Sequence, residues 1–115
     1  MSVKIYHNPR CSKSRQTLEL LHGESVEPQI VEYLKTPPSA EELAELLKML
    51  GIGARDLMRK KEAEYKESGA DNPDLSEAQL IALMVANPKL IERPIVVKDG
   101  KAAIGRPPEL VLDIL

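Results

Sequence analysis

The 115-residue chain is the right size for a single domain, 1–115, with one core, and too short for a second. Hydrophobic residues make up 43% and charged residues 30%, an ordinary globular balance, but three Tyr with no Phe or Trp leave no stacking platform for single-stranded nucleic acid. A net charge of −2 gives no general basic face for DNA or RNA, and no run approaches the ~20 apolar residues that span a bilayer. One cysteine excludes a disulfide framework and a thiolate zinc cluster, and His7 and His22 are too few and too badly spaced for a metal site. The N-terminus enters a strand-like run almost at once, without an h-region or cleavage site, so a reducing cytoplasm is the expected setting.

Val3 to Tyr6 alternates apolar and polar before an Asn-Pro break and predicts a short strand. A helix follows from about Ser12 to His22, with Leu18 and Leu21 on one face and Gly23 as its stop. Gln29 to Tyr33 is the next strand. Strand, helix and strand within ~30 residues make a βαβ unit with parallel strands and a right-handed crossover. Ser39 with Glu42 then forms a capping box, and Leu43, Leu46, Leu47 and Leu50 recur at helical spacing. Gly51 and Gly53 punctuate this helix, and a further helix is expected over Arg55 to about Glu62. After a polar loop through Gly69 to Asp74, Ser76 with Gln79 caps a helix carrying Leu80, Leu83 and Met84, which Asn87-Pro88 ends.

The final third changes character. Ile95 to Lys98, Asp99-Gly100 and Lys101 to Ile104 predict a hairpin with a type I′ turn. Gly105-Arg106-Pro107-Pro108 leads into a last helix with Val111, Ile114 and Leu115. The order is β-α-β, several helices, β-β-α. This is an α/β, thioredoxin-like layout: a mixed four-stranded sheet with a helical insertion, about 39–87, between its two halves.

Cys11 stands where the first strand turns into the first helix. Most free cysteines are small buried hydrophobes, yet nothing apolar except Pro9 lies within four residues of this one. At a helix start a sulfur meets unpaired backbone N–H groups and the positive end of the helix dipole, which favour the thiolate. Arg10, Lys13 and Arg15 add positive charge nearby. His7, at the strand end, is placed to stabilise the thiolate or accept its proton. Ser14, one helical turn after Cys11, can bring its hydroxyl toward the sulfur; it occupies the place of the second thiol of C-x-x-C and cannot do that job. A lone cysteine needs its second thiol from another molecule.

Arg93 and Arg106 lie against prolines beside the strand pair. Pro94, opening a strand, is a candidate for the cis peptide that thioredoxin-like folds place next to the active sulfur, which would bring Arg93 beside Cys11. Arg59 falls on a helix of the insertion, where only the fold decides its neighbours. G-x-G-x-x-G, P-loop and H-E-x-x-H patterns are absent. The sixth residue after Cys11 is Thr17, so the cysteine does not open the C-x5-R loop of a low-molecular-weight phosphatase.

Together these residues resemble the glutaredoxin-linked arsenate reductase family over essentially the whole chain. The resemblance rests on Ile5 to Cys11 with Ser14-Arg15, on Leu57 to Lys60, on Arg93 to Val97, and on Arg106-Pro107 followed by Leu110 to Leu115. It implies Cys11 as nucleophile and Arg59, Arg93 and Arg106 as oxyanion-binding arginines. It also implies arsenate or a similar oxyanion as substrate, glutathione as co-substrate, glutaredoxin as partner, and no bound cofactor. The sequence departs from many relatives in the basic residues Arg10 and Lys13 around the nucleophile, and it ends directly after the last helix. Two other readings use the same fold. A Spx-type regulator would bind RNA polymerase, but many of these carry C-x-x-C and lack the full arginine set. A monothiol glutaredoxin-like exchange protein accords with Cys11-Ser12-Lys13-Ser14, yet lacks the Gly-Phe pair of the cluster-binding types and leaves three arginines without a role.

Overall fold

The computed structural model describes residues 3–115. In chain order the elements are β1 (Val3–His7), α1 (Ser12–Gly23), β2 (Gln29–Glu32), α2 (Ala40–Leu50), a 3₁₀ turn Arg55–Leu57, α3 (Ala63–Glu67), α4 (Glu77–Ala86), a 3₁₀ turn Pro88–Leu90, β3 (Ile95–Lys98), β4 (Lys101–Ile104) and a 3₁₀ helix Pro108–Ile114. The chain folds as two compact units, one formed by the segment up to Thr36 with Arg93–Leu115, the other by Pro37–Glu92. Among the described residues no helix is long and apolar enough to cross a membrane.

The first unit is a four-stranded sheet in the order β2-β1-β3-β4. β1 runs parallel to β2 and antiparallel to β3, with Ile5 opposite both Ile30 and Val96. β3 and β4 form the expected hairpin, and Asp99 and Gly100 both take positive φ, as a type I′ turn demands. Because side chains alternate along a strand, Val3, Ile5 and His7 share one face. On that face Val3, Ile5, Leu21, Val96 and Val111 form a buried cluster, with Leu18, Leu20, Val26 and Ile114 packed against it. This is the thioredoxin-like sheet.

Helix α1 turns Leu18 and Leu21 to the core as expected, but they are not its whole inward face. Its buried residues are Ser14, Thr17 and Leu21, while Leu18 is only half-buried. The spacing is still helical, but two of the three positions are hydroxyl residues, which an apolar count passes over. Each is tolerated because its hydroxyl is bonded: Thr17 Oγ1 donates to the Lys13 carbonyl at 2.8 Å, and Ser14 Oγ meets His7 Nδ1 at 2.6 Å.

In the second unit both capping boxes form. Ser39 Oγ accepts the Glu42 N–H and Ser76 Oγ accepts the Gln79 N–H, each reciprocated by the longer side chain. Gly51 closes α2 in the left-handed region at φ 70°, and α2 buries Leu43, Leu46 and Leu47. The helix expected over Arg55–Glu62 is absent. A single 3₁₀ turn ends at Leu57, Met58 is extended and bridges Ile91, and the next helix begins only at Ala63. Long-range pairing overrides local propensity here: the Leu57 carbonyl accepts the Glu92 N–H at 2.8 Å and the Arg59 N–H donates to the Leu90 carbonyl at 2.7 Å. The Arg55 guanidinium also leaves the helical path, donating to Tyr65 Oη and to the carbonyls of Ala70 and Asn72, each at 2.7 Å.

Replacing Ser39 with Ala removes one side of a capping box. A loss of about 1 kcal/mol in unfolding free energy is expected, read as a lower urea midpoint at unchanged slope.

Candidate active site

The turn Asn8-Pro9-Arg10-Cys11 delivers the cysteine. Asn8 uses three groups to build it: its N–H donates to Ser14 Oγ at 3.0 Å, its Oδ1 accepts the Arg10 N–H at 3.0 Å, and its carbonyl accepts the Cys11 N–H at 3.0 Å. The Arg15 guanidinium ties down the outside of the turn by donating to the Pro9 carbonyl at 2.9 Å. Cys11 is extended (φ −94°, ψ 123°), and its carbonyl accepts the Arg15 N–H, which makes it the N-cap of α1. The thiol is partly buried.

From the segments that flank the β3–β4 hairpin come two guanidinium groups. Arg106 Nη2 lies 3.6 Å from Cys11 Sγ, and Arg106 Nε donates to the Arg93 carbonyl at 2.7 Å. Arg93 interacts with the same sulfur and with the buried Tyr33. The Arg93–Pro94 peptide is cis, as the sequence position of Pro94 anticipates, and so is Arg106–Pro107. Burial is the largest influence on the thiol and acts to raise its pKa. The Ser14 backbone N–H, the Arg93 guanidinium and the Lys13 backbone N–H act the other way and prevail, so the thiol ionises below its ordinary value. Burial likewise disfavours the Arg93 cation, but Tyr33 and Cys11 outweigh it and hold the guanidinium protonated more firmly than usual.

His7 and Ser14 meet each other rather than the sulfur. The Ser14 hydroxyl, fully buried, lies 2.6 Å from His7 Nδ1 and accepts the Asn8 N–H. What Ser14 brings to Cys11 is its main-chain N–H, not the hydroxyl that the sequence places one turn away. Burial lowers the His7 pKa, Arg15 adds to the effect and Glu32 opposes it, so the neutral imidazole is favoured.

Arg59 belongs to the second unit and lies in the non-helical stretch after Met58, not on the helix expected for it. There its guanidinium pairs with Glu62 at 3.0 Å and with Glu92 at 3.7 Å. Sequence reasoning missed Asn8, Tyr33 and Gly105. For Asn8 the Asn-Pro pair beside the cysteine is a signal, although by itself it marks only a strand break. Tyr33 carried none beyond its rarity as one of three aromatic residues.

A thioredoxin-like sheet that presents one helix-capping thiol beneath two arginines defines a thiol-based, anion-handling protein. The ArsC family model matches residues 6–114, and the chain belongs to that family. It is 62% identical to the uncharacterised Escherichia coli K12 protein YfgD, covering 98% of this chain and 96% of that one. A Haemophilus influenzae protein named arsenate reductase is 52% identical over the full length of both. The solved structure of arsenate reductase from Vibrio cholerae superposes with a TM-score of 0.97 at 55% identity, covering 100% of this chain and 98% of that one.

The thiolate's ultraviolet absorbance should titrate with a midpoint below that of an ordinary cysteine. In Arg93→Ala the midpoint should rise, because the guanidinium beside the sulfur favours the anion. An unshifted midpoint would remove the guanidinium from the account of the thiol's acidity.

Proposed function

We propose that this protein reduces arsenate to arsenite with Cys11 as the nucleophile, and that glutathione and glutaredoxin supply the reducing thiols. The observation that carries the reading is the pairing of a lone acidified thiol with two guanidinium groups at one spot. A guanidinium offers planar paired donors and a permanent charge, so it suits a tetrahedral oxyanion as well as a thiolate. The names of the relatives from Haemophilus influenzae and Vibrio cholerae support the choice of arsenate.

In the first step the Cys11 thiolate attacks arsenic(V). An As–S bond forms, an As–O bond breaks, and the departing oxygen takes protons and leaves as water. Arg93 and Arg106 stabilise the negative charge that gathers on that oxygen. A glutathione thiol displaces a second oxygen in the same way. Arsenic then gains two electrons as two sulfurs are oxidised to a disulfide, and arsenite leaves. Glutaredoxin with glutathione returns the oxidised sulfur to thiol, in a reducing compartment. Phosphate fits the same cradle but has no thiol-accessible reduction, so chemistry rather than affinity separates the two anions. Arg59 is the third arginine of this reading; the family resemblance supplies that role, and its carboxylate partners Glu62 and Glu92 would set its charge environment.

Ser14, in the place of a second thiol, weighs against a C-x-x-C redox switch, and its hydroxyl is already committed to His7. An NADPH-coupled assay with arsenate, glutathione and glutaredoxin tests the proposal. Turnover should vanish in Cys11→Ser and fall roughly 10²–10³-fold in Arg93→Ala and in Arg106→Ala, as for lost oxyanion donors. Ser14→Ala should lose less. Wild-type rates in all four variants, or no arsenate-dependent NADPH oxidation by the unmodified protein, would refute it.

A further inference from the structure

Gly105 is buried between β4 and the Arg106–Pro107 peptide, and its φ lies outside the left-handed region. Conformation therefore does not demand glycine there; space does. A Cβ on Gly105 would stand 2.5 Å from Thr17 Oγ1, 3.1 Å from Thr17 Cγ2 and 2.9 Å from Pro94 Cγ. Neither neighbour yields cheaply. Thr17 is fully buried, stiff at its branched Cβ, and held by its bond to the Lys13 carbonyl. Pro94 is a buried ring whose carbonyl accepts the Gly105 N–H at 2.9 Å.

This contact joins the three parts that build the site. Thr17 lies on the helix that Cys11 caps, Pro94 follows Arg93, and Gly105 precedes Arg106. We propose that the side-chain-free contact of Gly105 with Thr17 and Pro94 fixes how closely the Arg106 and Arg93 guanidinium groups approach the Cys11 sulfur, which makes Gly105 a positioning residue for the nucleophile. An added methyl forces the Gly105–Pro107 segment and α1 apart, and the segment that moves carries Arg106. Displacing a charge partner by about 1 Å from a reacting atom is enough to cost roughly 10² in rate. The inference uses the proposed function only in taking Cys11 as the reacting group.

The test is the Cys11 thiol itself in Gly105→Ala, read by the pH dependence of iodoacetamide alkylation, with circular dichroism to confirm folding. This readout needs no arsenate, so it stands even where the arsenate assay fails. The thiol pKa should rise by about one unit, which lowers the alkylation rate below that pKa roughly tenfold. Turnover should fall about 10²-fold. Combining Gly105→Ala with Thr17→Ala removes two of the three close contacts and should restore most of the alkylation rate, a recovery that general destabilisation would not give. Should Gly105→Ala not fold, Thr17→Ile crowds the same contact from the helix side and should shift the thiol the same way. A folded Gly105→Ala or Thr17→Ile protein with a wild-type thiol pKa would overturn the proposal, as would a double variant no more reactive than Gly105→Ala.

Discussion

The approach of a guanidinium to the Cys11 sulfur is the contact on which the rest of the structure converges. It joins the start of α1 to the ends of β3 and β4, segments more than eighty residues apart in sequence. The sheet makes this possible because β1 and β3 are its central neighbours, so the turn leaving β1 and the peptide entering β3 emerge at the same edge. Arg106 then reaches across the hairpin to the Arg93 carbonyl, which couples the two cations through the backbone rather than leaving each to a flexible stem. Long cationic side chains lose rotamer freedom when they are fixed. Spending a main-chain acceptor on Arg106 reduces what binding must still order.

The polar residues of the first unit form a second, supporting layer. Ser14 and Thr17 occupy core-facing positions of α1 that leucines would fill in an ordinary amphipathic helix. Each is there for a contact that a leucine cannot make: Ser14 for His7 and Asn8, Thr17 for the tight passage beside Gly105. The consequence is a helix with a dry, leucine-lined half near Leu21 and a hydrogen-bonded half near Cys11. Apolar packing secures the end remote from the sulfur, while directed bonds set the end that carries Cys11.

This division explains what the sequence made legible. Periodicity and turn chemistry report on solvent and local backbone, and they placed all four strands, both capping boxes and the Asp99-Gly100 turn. They failed at Arg55–Glu62, where the competing bonds of Leu57 and Arg59 go to Glu92 and Leu90, more than thirty residues away. The cysteine was legible because its neighbours were the wrong company for a core thiol. Arg93 and Arg106 were legible because prolines fixed their surroundings. Gly105 was not: in sequence it only leads, with Arg106 and two prolines, into the last helix, and its role lies in a distance to Thr17 that no one-dimensional pattern contains. Tyr33, a residue at the end of β2, gives no hint in the sequence that it faces Arg93.

The choice of arginine rather than histidine as the thiol's partner has a chemical logic. A histidine cation stabilises a thiolate only below its own pKa, and burial depresses that pKa for His7, so at neutral pH it is the imidazole that faces Ser14. Guanidinium groups keep their charge throughout this range. The thiolate is then favoured by a field that does not titrate, and in the proposed reaction the same field remains to hold the bound oxyanion after the sulfur has formed its bond and lost its own charge. With Cys11 its one cysteine, the chain has no internal thiol to close on the sulfur. A site that holds an acidified thiol beside permanent cations, with no second thiol of its own, accords with the proposed reduction, in which a thiol from solution completes the step.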